Sequence, residues 1–285
     1  MATTTASSGA PRQPASSTKD GLTASAWEER LSQSVFVKVF AYLGEISILA
    51  AQAIVSIARR GVSLGDLFDQ MFTIGVGTLP IALLTVFTSS AVISLYFAQF
   101  LVRYNAGTLT GAVDALALGR ELGPVLIGVV ASARAGSAIA AEIGTMKVTE
   151  QIDALRSLAV SPIQYLVVPR LVAFVIMIPI LCVVADAFGL VGGYLVAVWQ
   201  GVPPASFGDS IRQYVSLRDF TMGVIKTVAF AFIIVIVSCH QGLRTKGGAT
   251  GVGRSTTNAV VLSIVLIYLS DFVMAYLMFG GQTSV

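Results

Sequence analysis

The apolar residues of this sequence fall into five long runs, which short polar stretches separate. Each run reaches the roughly 20 residues that a helix needs to cross a bilayer. The runs are continuous, whereas the strands of a membrane barrel alternate apolar and polar positions over about ten residues. The pattern therefore predicts an all-α integral membrane protein with five spans, at about 72–101, 112–141, 168–198, 220–240 and 258–279.

The part before the first span has a different pattern. Residues 27–60 mix large apolar side chains with charges such as Glu28, Lys38 and Glu45. Such a helix lies in the membrane surface and keeps its charges in water, so we predict an interfacial helix here. Residues 1–25 are rich in Ala, Ser, Thr and Pro and predict a disordered tail without the apolar core of a secretory signal. Residues 26–285 are predicted to form one membrane domain.

The stretch between the second and third spans, about 142–159, is amphipathic. Its apolar residues recur at helical spacing: Ile143, Met146, Ile152, Leu155 and Leu158. Its charges form pairs of opposite sign three residues apart: Lys147 with Glu150, and Asp153 with Arg156. This pattern predicts a helix outside the membrane that meets a water-soluble partner.

Composition supports the membrane assignment, because only 12% of the 285 residues are charged and soluble domains carry about 25%. The net charge of +3 gives no reason to expect nucleic-acid binding. Twelve of the 18 Lys and Arg residues lie in the N-terminal part, the 142–170 segment and the 241–257 loop, and three lie in the opposite loops. Since basic loops stay in the cytoplasm, we predict a cytoplasmic N-terminus, an external C-terminus and a cytoplasmic 142–159 helix.

No catalytic motif or metal-ligand cluster is visible in the sequence. The Gly-rich stretch 247–253 lacks the order of a phosphate-binding loop and follows no strand, so we read it as a flexible turn. Cys182 and Cys239 have no metal-type spacing and are expected to be buried apolar side chains. The chain is therefore expected to be no enzyme and to hold no cofactor of its own.

Charges inside spans are rare and mark functional candidates. Arg120 and Glu121 lie near one end of the second span, where either a paired charge or a polar spot in a substrate cavity would fit. Arg134 is expected to hold the helix bundle together. Lys226 is expected to extend to the membrane surface, and Asp271 to accept a hydrogen bond from a neighbouring span.

Two long blocks of sequence resemble a known family. RELGPVLIGVVASARAGSAIAAEIGTMKVTEQIDAL and GVGRSTTNAVVLSIVLIYLSDFVMAYLMFGG are similar to the signatures of the MlaE-type (YrbE-type) permeases. These are the membrane subunits of Mce/Mla lipid-transport ABC systems. Shorter matches, such as LVGGYLVAV and IKTVAFAF, fall between the blocks in the same order.

The resemblance implies an interfacial helix, five spans and a homodimer. Each copy would bind a cytoplasmic ATPase, which uses ATP and Mg, and an Mce-domain protein would sit on the outer side. It also implies that lipid occupies a cavity lined at Leu101, Tyr104, Arg120, Glu121 and Leu122. The coupling helix of the family falls on EIGTMKVTEQIDAL, so Glu142, Lys147, Glu150 and Asp153 are candidates for contact with the ATPase.

The expected function is ATP-driven movement of phospholipid, or a related lipid, between the inner membrane and an Mce-domain protein. The expected host is the bacterial inner membrane, with the plastid inner envelope as the alternative. Two other functions remain open on the sequence. One is a proton-coupled secondary transporter of a small amphiphile that uses Glu121, and the other is a membrane scaffold that transports nothing.

Overall fold

The computed structural model describes residues 35–280, and this range is helical throughout its ordered elements, with no β-strand. The range divides into two compact units between Ser47 and Ile48, within the first helix; the site lies in the second unit. The helices are α1 (Val35–Arg60), α2 (Leu64–Arg103), α3 (Thr110–Ala117), α4 (Gly123–Ala131), α5 (Ser137–Val148), α6 (Gln151–Ser157), α7 (Val168–Trp199), α8 (Pro204–Tyr214), α9 (Leu217–Leu243) and α10 (Gly248–Phe279).

Six helical stretches of the described range are long and apolar enough to cross a membrane. Five of them cover the predicted spans. The sixth is Phe40–Arg59, with a mean hydropathy of 1.6, inside the segment that the sequence predicts to be interfacial. Most of the charges behind that prediction precede residue 40, and the stretch itself contains Glu45 and Arg59. Residues 1–34, which hold the predicted tail and the start of this segment, lie outside the described range.

The second of the predicted spans is a helical stretch of 42 residues, Gly107–Val148. Two π-helical turns interrupt its α-helical geometry, at Leu118–Leu122 and Ser132–Gly136. A π turn adds one residue to the helical register and is frequent at functional sites. The two turns carry the two arginines of this span, Arg120 and Arg134.

Helices α2 and α7 pack along their length through small residues. Ala82, Ser90 and Ala98 of α2 are fully buried, and α7 presents glycines at Gly189, Gly192 and Gly193. Small side chains let helix backbones approach closely in lipid. Asp114 of α3 is buried in the same contact and accepts a hydrogen bond of 3.0 Å from Ser90 Oγ.

Gly193→Ala is expected to destabilise the fold by about 1–3 kcal/mol, the usual effect of overpacking a filled site. A Cβ at Gly193 would overlap the Asp114 carboxylate and lie 2.7 Å from Ser90 Oγ. Gly253→Ala is the matched control, since Gly253 is also inside a helix but has open space around it. Thermal unfolding in detergent should show a lower Tm for Gly193→Ala alone; equal values would contradict the close packing.

Two predicted connections differ in the structure. The Gly-rich stretch is not a flexible turn: the chain turns at Gly247, which has a φ of +88°, and α10 then begins at Gly248. The predicted helix 142–159 is divided, because α5 ends at Val148 and α6 begins at Gln151. Glu150 takes a φ of +60° between them, a left-handed conformation that ends the first helix.

Candidate functional site

Three charged side chains from three helical stretches meet inside the bundle. Lys226 of α9 is fully buried and donates a hydrogen bond of 2.7 Å from Nζ to Glu121 Oε2. Its Nζ also lies 2.9 Å from Asp271 Oδ1 of α10; the short distance makes this an ion pair, although its angle does not qualify as a hydrogen bond. We call Glu121, Lys226 and Asp271 the charged triad.

The position of Lys226 corrects one expectation. The side chain does not extend to the membrane surface, because its exposed fraction is 0%. A buried ammonium group needs a nearby negative charge to offset its lost hydration, and the triad supplies two. Asp271 accepts the interaction with a neighbouring span that the sequence predicts. The spacing of 105 residues between Glu121 and Lys226 gives no sequence signal for this contact.

Arg120 and Glu121 are adjacent in the chain but have different partners. Arg120 Nη2 lies 2.6 Å from Asp219 Oδ1 at the start of α9, and Arg120 Nε donates to the same oxygen at 2.8 Å. Asp219 also caps α9, since its Oδ2 accepts hydrogen bonds of 2.8 Å from the backbone N–H and hydroxyl of Ser216. The π turn at Leu118–Leu122 is therefore fixed to α9 by two ion pairs.

The triad is open on one side. The Glu121 side chain keeps 42% of its surface exposed and that of Arg120 keeps 34%, whereas Lys226 and Asp271 are covered. Leu122, the next residue, is partly exposed as well. The site thus presents one carboxylate edge and one guanidinium edge on an otherwise apolar surface, and this arrangement suits an amphiphile.

Leu101 and Tyr104 come from the end of α2. Tyr104 caps this helix and is 69% exposed. It lines a pocket of about 250 Å³ together with Tyr96, Gln99, Phe100 and Arg103. The charged triad does not line this pocket, so within one chain the structure places the implied lipid-binding residues in two groups.

Arg134, on the second π turn, contacts α2. Its Nη1 lies 3.3 Å from Thr78 Oγ1 and 3.4 Å from the carbonyl oxygen of Thr73. A Cβ at Gly77 would overlap the guanidinium, so the glycine makes room for it. These contacts support the predicted structural role of Arg134.

At the other end of Gly107–Val148, the α5–α6 connection presents an exposed charge cluster. Lys147 Nζ lies 3.0 Å from Asp153 Oδ2, and Arg156 Nη1 lies 3.2 Å from Asp153 Oδ1. The hydrogen bond from Lys147 lowers the pKa of Asp153 below its usual value, so this carboxylate stays ionised at neutral pH. The predicted pairing of Asp153 with Arg156 is present, while Lys147 pairs with Asp153 rather than Glu150.

Glu142 has an intramolecular partner. Its Oε1 lies 2.7 Å from Nη2 of Arg170, a side chain of α7 that is only 5% exposed. Arg170 also donates a 2.7 Å hydrogen bond to the carbonyl oxygen of Leu166. Glu142 therefore joins α5 to α7, and 57% of its side chain remains accessible.

Sequence reasoning missed three partners: Lys226 for Glu121, Asp219 for Arg120 and Arg170 for Glu142. All three lie on helices distant in sequence. The signal that could have found two of them is an ionisable residue inside or at the edge of a span, which normally pairs with another.

Comparisons with known proteins place the chain. The family described as Permease MlaE matches residues 67–277. A probable ABC transporter permease protein of Rickettsia typhi is 41% identical over 244 residues, which cover 85% of this chain and 94% of that protein.

Two photosynthetic organisms contain further relatives. A probable ABC transporter permease protein of Synechocystis is 41% identical over 234 residues, covering 82% of this chain and 89% of its own length. The protein TRIGALACTOSYLDIACYLGLYCEROL 1, chloroplastic, of Arabidopsis thaliana is 36% identical over 237 residues, covering 83% and 68%. With a family match over most of its length and relatives of this identity, the chain is a multi-pass membrane protein that belongs to the MlaE permease family.

Proposed function

We propose that this permease is the membrane subunit of an ATP-driven transporter that moves phospholipid or a related lipid. Its second copy, a cytoplasmic ABC ATPase and an Mce-domain protein on the outer side complete the assembly. The proposed location is the bacterial inner membrane, with the plastid inner envelope as the alternative. The proposed orientation places the N-terminus and the α5–α6 connection in the cytoplasm, with α1 in the membrane surface.

One observation carries this proposal: the open edge of the charged triad. Glu121 is bound to a fully buried lysine yet keeps 42% of its surface exposed within an apolar span. A charge in this place is costly unless it serves a substrate or ion path. A lipid satisfies such a site, because its polar group meets the charged edge and its acyl chains need no hydrogen bonds.

The proposed mechanism uses the stiffness of the Gly107–Val148 stretch. Its ends carry the Lys147–Asp153 cluster and, near the other end, the Arg120–Glu121 turn. Movement of the α5–α6 connection by the ATPase would shift this stretch against α9. The two ion pairs at Asp219 and Lys226 would transmit the shift to the lipid site. ATP and Mg belong to the partner ATPase in this proposal.

Glu121→Gln tests the assignment in proteoliposomes that contain the permease with its ATPase. The amide keeps the shape but removes the charge that faces Lys226 and the cavity, so lipid transfer should fall about tenfold, the effect of losing one charged hydrogen bond. The ATPase should still co-purify, since the change lies far from α6. Asp209→Asn is the control, because Asp209 is an exposed carboxylate on α8.

Two outcomes would contradict the proposal. Unchanged transfer with Glu121→Gln would favour a scaffold. Transfer that needs no ATPase and stops when the proton gradient is dissipated would favour a proton-coupled transporter.

A further inference from the structure

Arg103 is a cation without a carboxylate partner at the end of a span. The other arginine near this end of the bundle that the family resemblance places in the lipid cavity, Arg120, is bound to Asp219 at 2.6 Å. Lys226 is bound to two carboxylates. In residues 35–280, no acidic oxygen lies within 4.0 Å of the Arg103 guanidinium, and its side chain is exposed.

The side chains around Arg103 are hydrogen-bond donors. The pocket of about 250 Å³ is lined by Tyr96, Gln99, Phe100, Arg103 and Tyr104. These residues follow the spacing i, i+3, i+4, i+7 and i+8, so they form one stripe over the last turns of α2. Two phenol hydroxyls and a carboxamide thus flank the guanidinium. Within the described range, none of these polar groups has a side-chain hydrogen bond.

The pocket is also shaped for a group at the membrane surface. Phe100 and Tyr104 contact each other with ring centroids 4.9 Å apart, and this pair forms a firm apolar wall. Tyrosine is typical of the boundary between lipid and water. Below the pocket, α2 continues with exposed apolar side chains on the same face, including Leu84 and Val92, which are 65% and 51% exposed. Acyl chains can lie along this face.

We propose that this pocket binds the phosphate of a lipid headgroup, with Arg103 as the residue that determines specificity. This inference rests on the proposed function, because it concerns the cargo of the same permease. A guanidinium presents paired N–H donors that match two phosphate oxygens. Tyr96, Tyr104 and Gln99 add neutral donors for the remaining oxygens. Arg103 then selects lipids with a phosphate over neutral lipids with the same acyl chains.

The test measures binding to the full-length permease in nanodiscs with two photoactivatable probes, phosphatidic acid and diacylglycerol with identical chains. The wild type should crosslink phosphatidic acid about tenfold more than diacylglycerol. Arg103→Gln should abolish this preference, and Arg103→Lys should restore part of it because the charge remains without the fork of donors. Tyr96→Phe, which removes one hydroxyl, should weaken the preference in the same direction.

Arg218→Gln is the matched control, because Arg218 is another exposed arginine near the same end of the bundle but does not line this pocket. It should leave the preference unchanged. Inorganic phosphate at 10-fold excess over the lipid probe should not compete; full competition would assign the pocket to free phosphate and overturn the lipid assignment.

The outcomes separate this inference from the proposed function. If the wild type crosslinks both probes equally, or Arg103→Gln keeps the preference, the headgroup assignment is wrong while lipid transport still stands. If neither probe crosslinks to the wild type and no lipid is transferred, both are wrong.

Discussion

Lys226→Met is expected to reduce the stability of this permease more than any other single change considered for the site. The substitution removes a fully buried ammonium group and leaves Glu121 and Asp271 facing each other without a cation. Breaking a buried ion pair by removing one partner costs about 3–5 kcal/mol. We expect the lower end of that range, since the Glu121 side chain is 42% exposed and water screens part of its charge.

The measurement is thermal unfolding of the purified protein in detergent, together with its yield from the membrane. Lys246→Met is the matched control, because Lys246 is an exposed lysine in the short connection before α10; its Tm should stay at the wild-type value.

A rescue variant distinguishes the charge effect from a packing effect. Lys226→Met combined with Glu121→Gln and Asp271→Asn removes all three charges, and an uncharged interior of similar volume is often as stable as a buried ion pair. This variant should recover most of the lost stability but not lipid transfer. A Lys226→Met protein as stable as the wild type would show that the triad is not a structural unit.

Glu150→Lys with Asp153→Lys is expected to have the second large effect, on partner binding rather than on folding. Asp153 is the shared partner of Lys147 and Arg156, and a lysine there would place three positive charges together. The exposed cluster would change from nearly neutral to strongly basic, so an ATPase surface that complements it should be repelled. We expect the ATPase to be lost during purification by at least tenfold, while the permease remains in the membrane.

The control for this pair is Asp209→Lys, which makes the same kind of charge change on α8, an exposed helix in a different connection. It should keep the ATPase bound. The ratio of ATPase to permease after affinity purification gives the result, and lipid-stimulated hydrolysis gives a second measure. An unchanged ratio with the double variant would assign the coupling contact to another surface.

Glu142 requires a separate expectation within the coupling group. Its ion pair with Arg170 joins α5 to α7, so replacing Glu142 would disturb the fold as well as any contact with the ATPase. Variants at Lys147, Glu150 and Asp153 therefore report on partner binding more directly than a variant at Glu142.

The sequence by itself determined the elements that depend on local pattern. Continuous apolar runs predict helices that span the membrane, because the backbone in lipid must satisfy its own hydrogen bonds. The amphipathic pattern around Asp153 predicted an exposed charged connection, and the two signature blocks predicted the family, which the match over residues 67–277 confirms.

Only the tertiary structure decided which charges meet. Lys226 looks like a residue that extends to the membrane surface until α9 and α10 pack against the π turn at Leu118–Leu122. Glu150 looks like part of a helix until its left-handed backbone divides α5 from α6. Arg103 looks like an ordinary interfacial arginine until its neighbours on α2 form a pocket of donors around it.

The physical reason is the range of the interactions. A helix forms from hydrogen bonds between residues four positions apart, so its signal lies in a short window of sequence. An ion pair in lipid joins residues such as Glu121 and Lys226 across 105 positions, and any of several acids could have filled that place. Partner choice among buried charges thus depends on how the helices pack, and the packing is settled by glycines and small side chains whose sequence pattern does not name their partners.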